Sequence, residues 1–185
     1  MWESIRKMWK IPELRNKILY TLGMLVLFRL VGVIPAPGVD AARVLTGTAT
    51  DLPILQLVNM MTGSNFANMT IMAMGITPYI NASIIMQLLT IAIPALERMQ
   101  RDEEGGGREK IARITRYVTV GLAAVQAIGL VAGLGYIKSG WFNYVLVGIS
   151  MAGGSALAMW IGERINDKGI GNGVSLLIFA GIIAR

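Results

Sequence analysis

Residues 54–94 read ILQLVNMMTGSNFANMTIMAMGITPYINASIIMQLLTIAIP. As one α-helix these 41 residues would extend about 60 Å, twice the roughly 30 Å of hydrocarbon in a bilayer. The stretch also carries its own punctuation. Gly63, Ser64, Asn65, Asn68 and Thr70 interrupt a short apolar run near Ile54 to Met61, while Gly75 and Pro78 open a second, longer run that Pro94 stops. The reading is one partial excursion over about 54–69 followed by one full crossing over about 75–94. Irregular backbone at membrane depth is tolerated only where protein or water surrounds it, so the half-helix is expected inside a cavity rather than in lipid.

The composition agrees with a membrane chain. Of 185 residues, 54% are hydrophobic and 15% charged, and the mean hydropathy is +0.58. A soluble domain carries about one-quarter charged residues. Further apolar runs lie at about 18–34, stopped by Pro35 and Pro37, at 114–136, and at 144–161 behind the interfacial aromatics Trp141, Phe142 and Tyr144. A last run, 173–185, is too short to span, so the chain is expected to end inside or just after a helix that needs more sequence. With no cysteine and no histidine, disulfides, thiolate or imidazole metal sites and every histidine-based mechanism are excluded, and no enzyme, metal or cofactor is expected.

Orientation follows from the basic residues, because short loops rich in them stay cytoplasmic. Arg6, Lys7, Lys10, Arg15 and Lys17 precede the first span. Arg98, Arg101, Arg108, Lys110, Arg113 and Arg116 fill the loop at 95–117, and Arg164 and Lys168 the loop at 162–172. The other two loops hold only Arg43 and Lys138. The N-terminus is therefore expected in the cytoplasm, with residues 1–17 an amphipathic segment on the membrane surface. Residues 18–34 contain Arg29 and lack a small-residue cleavage pattern, so a cleavable signal is not expected.

Every acidic residue falls, on this reading, in a loop or terminus, which leaves no carboxylate at membrane depth to couple a proton or cation. Arg29 is the one intramembrane charge, and two readings are open: snorkelling to the outer interface, or pairing with a carbonyl or a partner subunit. Thr77, Asn81, Ser83, Gln87, Thr90 and Gln126 place amides and hydroxyls on the spans, as interhelical hydrogen bonds or as the lining of a hydrophilic path. Small residues at spacing four, Gly129 with Gly133 and Ala152 with Ala156, read as close helix packing. Gly105-Gly106-Gly107 lacks a following Lys-Ser/Thr and is not a phosphate loop. Residues 169–173, Gly-Ile-Gly-Asn-Gly, read as a tight turn feeding the last helix. The charged loop at 95–117 is either simply solvated or long enough to dock a cytosolic partner.

Four ordered strings go beyond these patterns: Phe28-Arg29 with Ile34-Pro35-Ala36-Pro37-Gly38-Val39-Asp40; the run from Met74 to Leu89; Arg113-Ile114-Thr115-Arg116-Tyr117; and Gly162-Glu163-Arg164 with residues 168–175. Together they closely resemble the SecY family, the pore subunits of bacterial protein-conducting channels. The resemblance implies an all-α polytopic membrane protein, here the N-terminal five-helix half of a ten-helix channel built from inverted repeats. The half-helix at 54–69 then corresponds to the plug, including Leu57, Asn59, Met60, Met61, Gly63, Ser64, Asn65 and Phe66. Ile76, Ile80 and Ile178 correspond to the pore ring. Asn81 and Gln126 correspond to lateral-gate positions, and the loop carrying Arg98, Arg101, Arg108, Lys110 and Arg113 to one that touches the motor SecA.

The same resemblance implies a gated conduit for unfolded preproteins, with lateral insertion of membrane segments, in the bacterial inner membrane. Its partners would be the second half of the channel, SecE, SecG, SecA, the ribosome, signal peptides, unfolded preproteins and membrane lipid, with no sequence-specific nucleic acid. The rival reading is half of a small-solute secondary transporter, which also uses repeats and broken helices.

Overall fold

The structure, a computed structural model, describes residues 11–40, 53–101, 106–135, 137 and 140–183. The amphipathic segment up to residue 10, Arg43 and Lys138 lie outside them. Among the described residues the chain is helical, and the strand-like pairings are two isolated bridges, Pro35 with Thr70 and Val39 with Ile137.

Helix α1 is Pro12–Val31, with Pro12 in its first turn, where a missing N–H costs nothing, and Glu13 and Arg29 at the ends that suit their charges. It begins well before residue 18, so Arg15 and Lys17 are helical. Helix α2, Pro53–Met61, is the short half-helix. Helix α3, Thr77–Ala92, ends at Ile93, whose extended conformation (ψ 109°) is what a following proline favours. Helix α4, Pro94–Arg101, then leaves at a 102° bend.

Among the described residues, two helices have the length and hydropathy to cross a membrane unaided: α5, Gly107–Gly133, and α6, Trp141–Lys168. Helix α7 is Gly173–Ile183. The loop expected over 95–117 is thus mostly α4 and the first turns of α5. The loop expected at 162–172 is mostly the end of α6. That extension has a physical cause: Ile161 and Ile165 are fully buried and continue the apolar stripe of α6, and Glu163 accepts a hydrogen bond from the Arg116 Nε of α5 at 2.9 Å. Glu13, Glu97, Glu109, Glu163 and Asp167 accordingly sit on helices rather than in loops.

α6 is the organising element. Val147, Met151, Ala158 and Ile161 are buried along it, and α5, α7, α1 and α3 pack around it. The expected small-residue packing at Gly129 and Gly133 is absent, since added methyl groups there would meet open space. Spacing four places residues on one face of a helix but does not say whether that face has a partner. The close approaches occur elsewhere. A Cβ on Gly154 would overlap the carbonyl oxygen of Ile71, and one on Gly173 the carbonyl oxygen of Gly162. Each glycine lets another backbone reach α6 or leave it.

Candidate functional site

The segment between α2 and α3 is the most enclosed part of the molecule. Phe66, Met72 and Ala73 are fully buried, and Met69, Thr70, Thr62 and Asn65 nearly so. Its path is read from its neighbours. Leu55 and Val58 of α2 pack against the cluster that holds Ala36, Ile137 and Val147 at one end of the bundle. Met61 and Thr62 lie deeper, beside Ile76 and Ile80. The chain then returns: Ala36 N–H donates to Met69 O and Ile71 N–H to Ile34 O, both at 3.0 Å. From there it descends a second time, past Gly154, to Ile76 and α3. This is a re-entrant excursion that starts and turns back at the same end.

Such a path strands backbone polar groups, and the interrupting residues are the ones that satisfy them. Asn59 Oδ1 accepts from Ala67 N–H at 2.9 Å. The Thr62 hydroxyl donates to the Val58 carbonyl at 3.0 Å and accepts from Phe66 N–H at 3.3 Å. Backbone bonds from Ser64 to Asn59, Thr70 to Asn65 and Ala73 to Thr70 close the remaining turns. Gly63 (φ 64°), Ser64 (φ 69°) and Gly75 (φ 52°) take the left-handed conformations that reverse the chain; for Ser64 this carries a steric cost that its surroundings must offset.

Deep in this fold the structure brings Ile76, Ile80 and Ile178 together. They line a gap of only about 10 Å³ with Phe28, Met61, Thr62, Gly75, Thr77 and Leu177. Ile76 caps the N-terminus of α3, and its carbonyl accepts from both Tyr79 and Ile80 N–H, so Ile76 and Ile80 keep the spacing of one helical turn. Ile76 is almost completely buried, in a cluster with Phe28, Met72, Ile161 and Leu177, while Ile80 and Ile178 are half-buried against it. The room for Ile76 comes from Gly162, whose added Cβ would sit 3.2 Å from Ile76 Cδ1. Thr62 and Leu177 were not singled out from the sequence, where nothing separates them from ordinary core positions, and Phe28 and Gly162 entered only within the strings that carry the family resemblance, not as lining of this gap.

The remaining expected residues are distributed as follows. Leu57 and Met60 face outward from α2, Asn59 inward, and Gly63, Asn65 and Phe66 are buried in the turn. Asn81 on α3 and Gln126 on α5 are half-buried on helices that pack together, and Gln126 Oε1 is enclosed without a hydrogen-bond partner. Arg98 and Arg101 lie on α4, with Arg101 donating to Glu97 at 2.6 Å, and Arg108, Lys110 and Arg113 on the first two turns of α5. Arg29 is paired rather than snorkelling alone: its Nη1 donates to the Gly63 carbonyl at 3.1 Å. At the turn into α7, Asn166 Oδ1 accepts from Gly173 N–H at 2.6 Å and Asn172 Oδ1 from Val174 N–H at 3.0 Å, a side-chain cap of the kind a tight glycine turn needs.

Comparison with known proteins agrees with this architecture. The chain is 45% identical over 184 residues to the protein translocase subunit SecY of Pyrenomonas salina, covering 98% of this chain and 44% of that protein. It is 38% identical over 192 residues to SecY of Bacillus subtilis, covering all of this chain and 44% of that one. Among solved structures, Sec61 in the canine ribosome-channel complex superposes with a TM-score of 0.65 at 24% identity, over 96% of this chain and 40% of that chain. A structure described as that of a protein conducting channel matches equally. The chain therefore spans less than half the length of these relatives, and its fold is that of the part it covers. The SecY family profile matches residues 70–185, and with these relatives it shows that the chain, an integral membrane protein, belongs to the SecY family.

Proposed function

We propose that the chain forms the N-terminal half of the central pore subunit of a Sec translocon, a gated conduit for unfolded preproteins that also releases membrane segments sideways into lipid. The observation that carries this reading is the convergence of Ile76, Ile80 and Ile178 on one narrow gap that the re-entrant segment fills with Met61 and Thr62. Branched aliphatic side chains present no fixed charge and no hydrogen-bond pattern, so a collar of them can close around any sequence and dewet when empty. The re-entrant segment acts as the plug behind that collar. Asn81 and Gln126 would border the lateral gate.

The N-terminus lies in the cytoplasm of a bacterium and the membrane is the inner one, in keeping with the basic residues gathered at the end that holds α4, the start of α5 and the end of α6. That end offers Arg98, Arg101, Arg108, Lys110 and Arg113 to SecA and the ribosome. SecE and SecG complete the assembly, with signal peptides and unfolded preproteins as substrates. Energy for transport comes from a partner. In the complete channel in planar bilayers, replacing both Ile76 and Ile80 by glycine should raise the resting ion conductance several-fold. Unchanged conductance would overturn the collar.

A further inference from the structure

We propose that Arg29 is a positioning residue for the gate: its guanidinium latches the re-entrant segment to α1 through the Gly63 carbonyl and so holds the channel's closed arrangement. The inference rests on the plug reading above. It starts from an oddity of the sequence, one cation within the apolar stretch 18–34, with Phe28 and Leu30 on either side of it. The guanidinium is half-buried beside a groove of about 1040 Å³ whose walls include Val26, Leu30 and Phe179, and its Nη1 donates to Gly63 O at 3.1 Å. In such surroundings a charge-assisted bond is worth more than a neutral one and more than the same bond in water.

Three further features make this contact a latch rather than a chance approach. First, position 63 admits only glycine: a Cβ there would lie 2.7 Å from Arg29 Nη1 and 2.9 Å from the Gly181 carbonyl oxygen, so the carbonyl is presented between α1 and α7 by close backbone packing. Second, Gly32, just past the end of α1, is closely approached by the Asn65 side chain, so the turn lies against this end of the helix at two adjacent points. Third, Gly63 and Ser64 are consecutive left-handed residues, a conformation that Ser64 leaves readily once the contacts around it are lost. A strained turn whose tip is tied to α1 by a cation is poised to release when that tie is lost.

The test uses the complete channel in planar bilayers, with Arg29→Met, Arg29→Lys and a deletion of residues 54–69, alone and combined. Arg29→Met keeps the length and apolar stem but removes the donor. It should raise resting conductance about tenfold, the ratio a charge-assisted hydrogen bond carries. Arg29→Lys, which retains a cationic donor, should restore most of the closure. The deletion should raise conductance by itself, and adding Arg29→Met to it should change nothing further, because the Gly63 carbonyl that the latch holds is gone. If the deletion leaves conductance unaltered, the plug reading fails. If the deletion leaks but Arg29→Met does not, or if Arg29→Met adds leak in the deleted channel, the latch fails while the plug stands. Faster amide hydrogen exchange at residues 62–66 in Arg29→Met, in protein that reaches the membrane in normal amount, separates unlatching from misfolding; unchanged exchange there would contradict the latch.

Discussion

Helix α6 and the segment from Thr62 to Ile76 occupy the same interior, and they solve the same problem in opposite ways. α6 runs for 28 residues and satisfies its backbone within itself, so its side chains are free to pack on every neighbour. The re-entrant segment has no such internal ladder. It turns its own Thr62 hydroxyl to Phe66 N–H, and it borrows an amide acceptor from Asn59, two backbone partners from Ile34 and Ala36, and a cation from Arg29. Self-sufficiency makes an element hard to move. Borrowed bonds make one that can leave when its lenders shift, which is what a gate requires and a scaffold must avoid.

The contrast breaks most severely at the point where the two regions touch. Gly154→Leu would drive a side chain into the Ile71 carbonyl, where there is no room even for a methyl group. Overpacking against backbone costs about 3 kcal/mol or more, so the variant should lose most of its folded protein, read as membrane-inserted yield and as the unfolding midpoint in detergent. Wild-type stability would mean that the two backbones are not in contact. A smaller loss is expected from Asn59→Leu, which leaves the Ala67 N–H without its acceptor: about 1–3 kcal/mol, with faster hydrogen exchange at Ala67 and little change in α6. If exchange at Ala67 is unchanged, or quickens equally across both regions, the re-entrant turn does not depend on borrowed bonds.

The smallest effect belongs to the tie between α5 and α6. Arg116 and Glu163 are paired at 2.9 Å with the arginine about half exposed, so Glu163→Gln should cost at most about 1 kcal/mol and the difference should shrink as salt is raised. A loss of several kcal/mol would show that this end of α6 leans on neighbours as heavily as the re-entrant turn does.

The two regions were not equally legible. The breaks at Pro35, Pro94 and Gly173 and the need for a partial excursion within 54–94 follow from proline geometry and from the arithmetic of bilayer thickness. The helical turns after Gly162 and after Gly107 were read as loops because Glu163, Arg164, Arg108 and Lys110 look like solvated connection in one dimension. Only the burial of Ile165 and the Arg116 partner reveal the helix. The same limit hid the close contacts, since Gly129 and Gly154 look alike in sequence and differ only in what faces them. For the candidate site, the interrupting role of Gly63, Asn65 and Thr70 was readable from residue type, whereas Ile76, Ile80 and Ile178 stood out only through family resemblance. An isoleucine in an apolar span carries no mark of its purpose.

The measurement that bears most directly on the re-entrant path is single-cysteine labelling, for which this chain offers a background without native thiols. Val33→Cys, Asn68→Cys and Arg108→Cys, each introduced singly into the complete channel, are exposed to a membrane-impermeant maleimide from one side and then the other. The expected result is that Asn68→Cys reacts from the same side as Val33→Cys and from the side opposite Arg108→Cys. Reaction of Asn68→Cys from the Arg108→Cys side would mean that the segment threads through the membrane, and the excursion, the plug and the latch would all be contradicted.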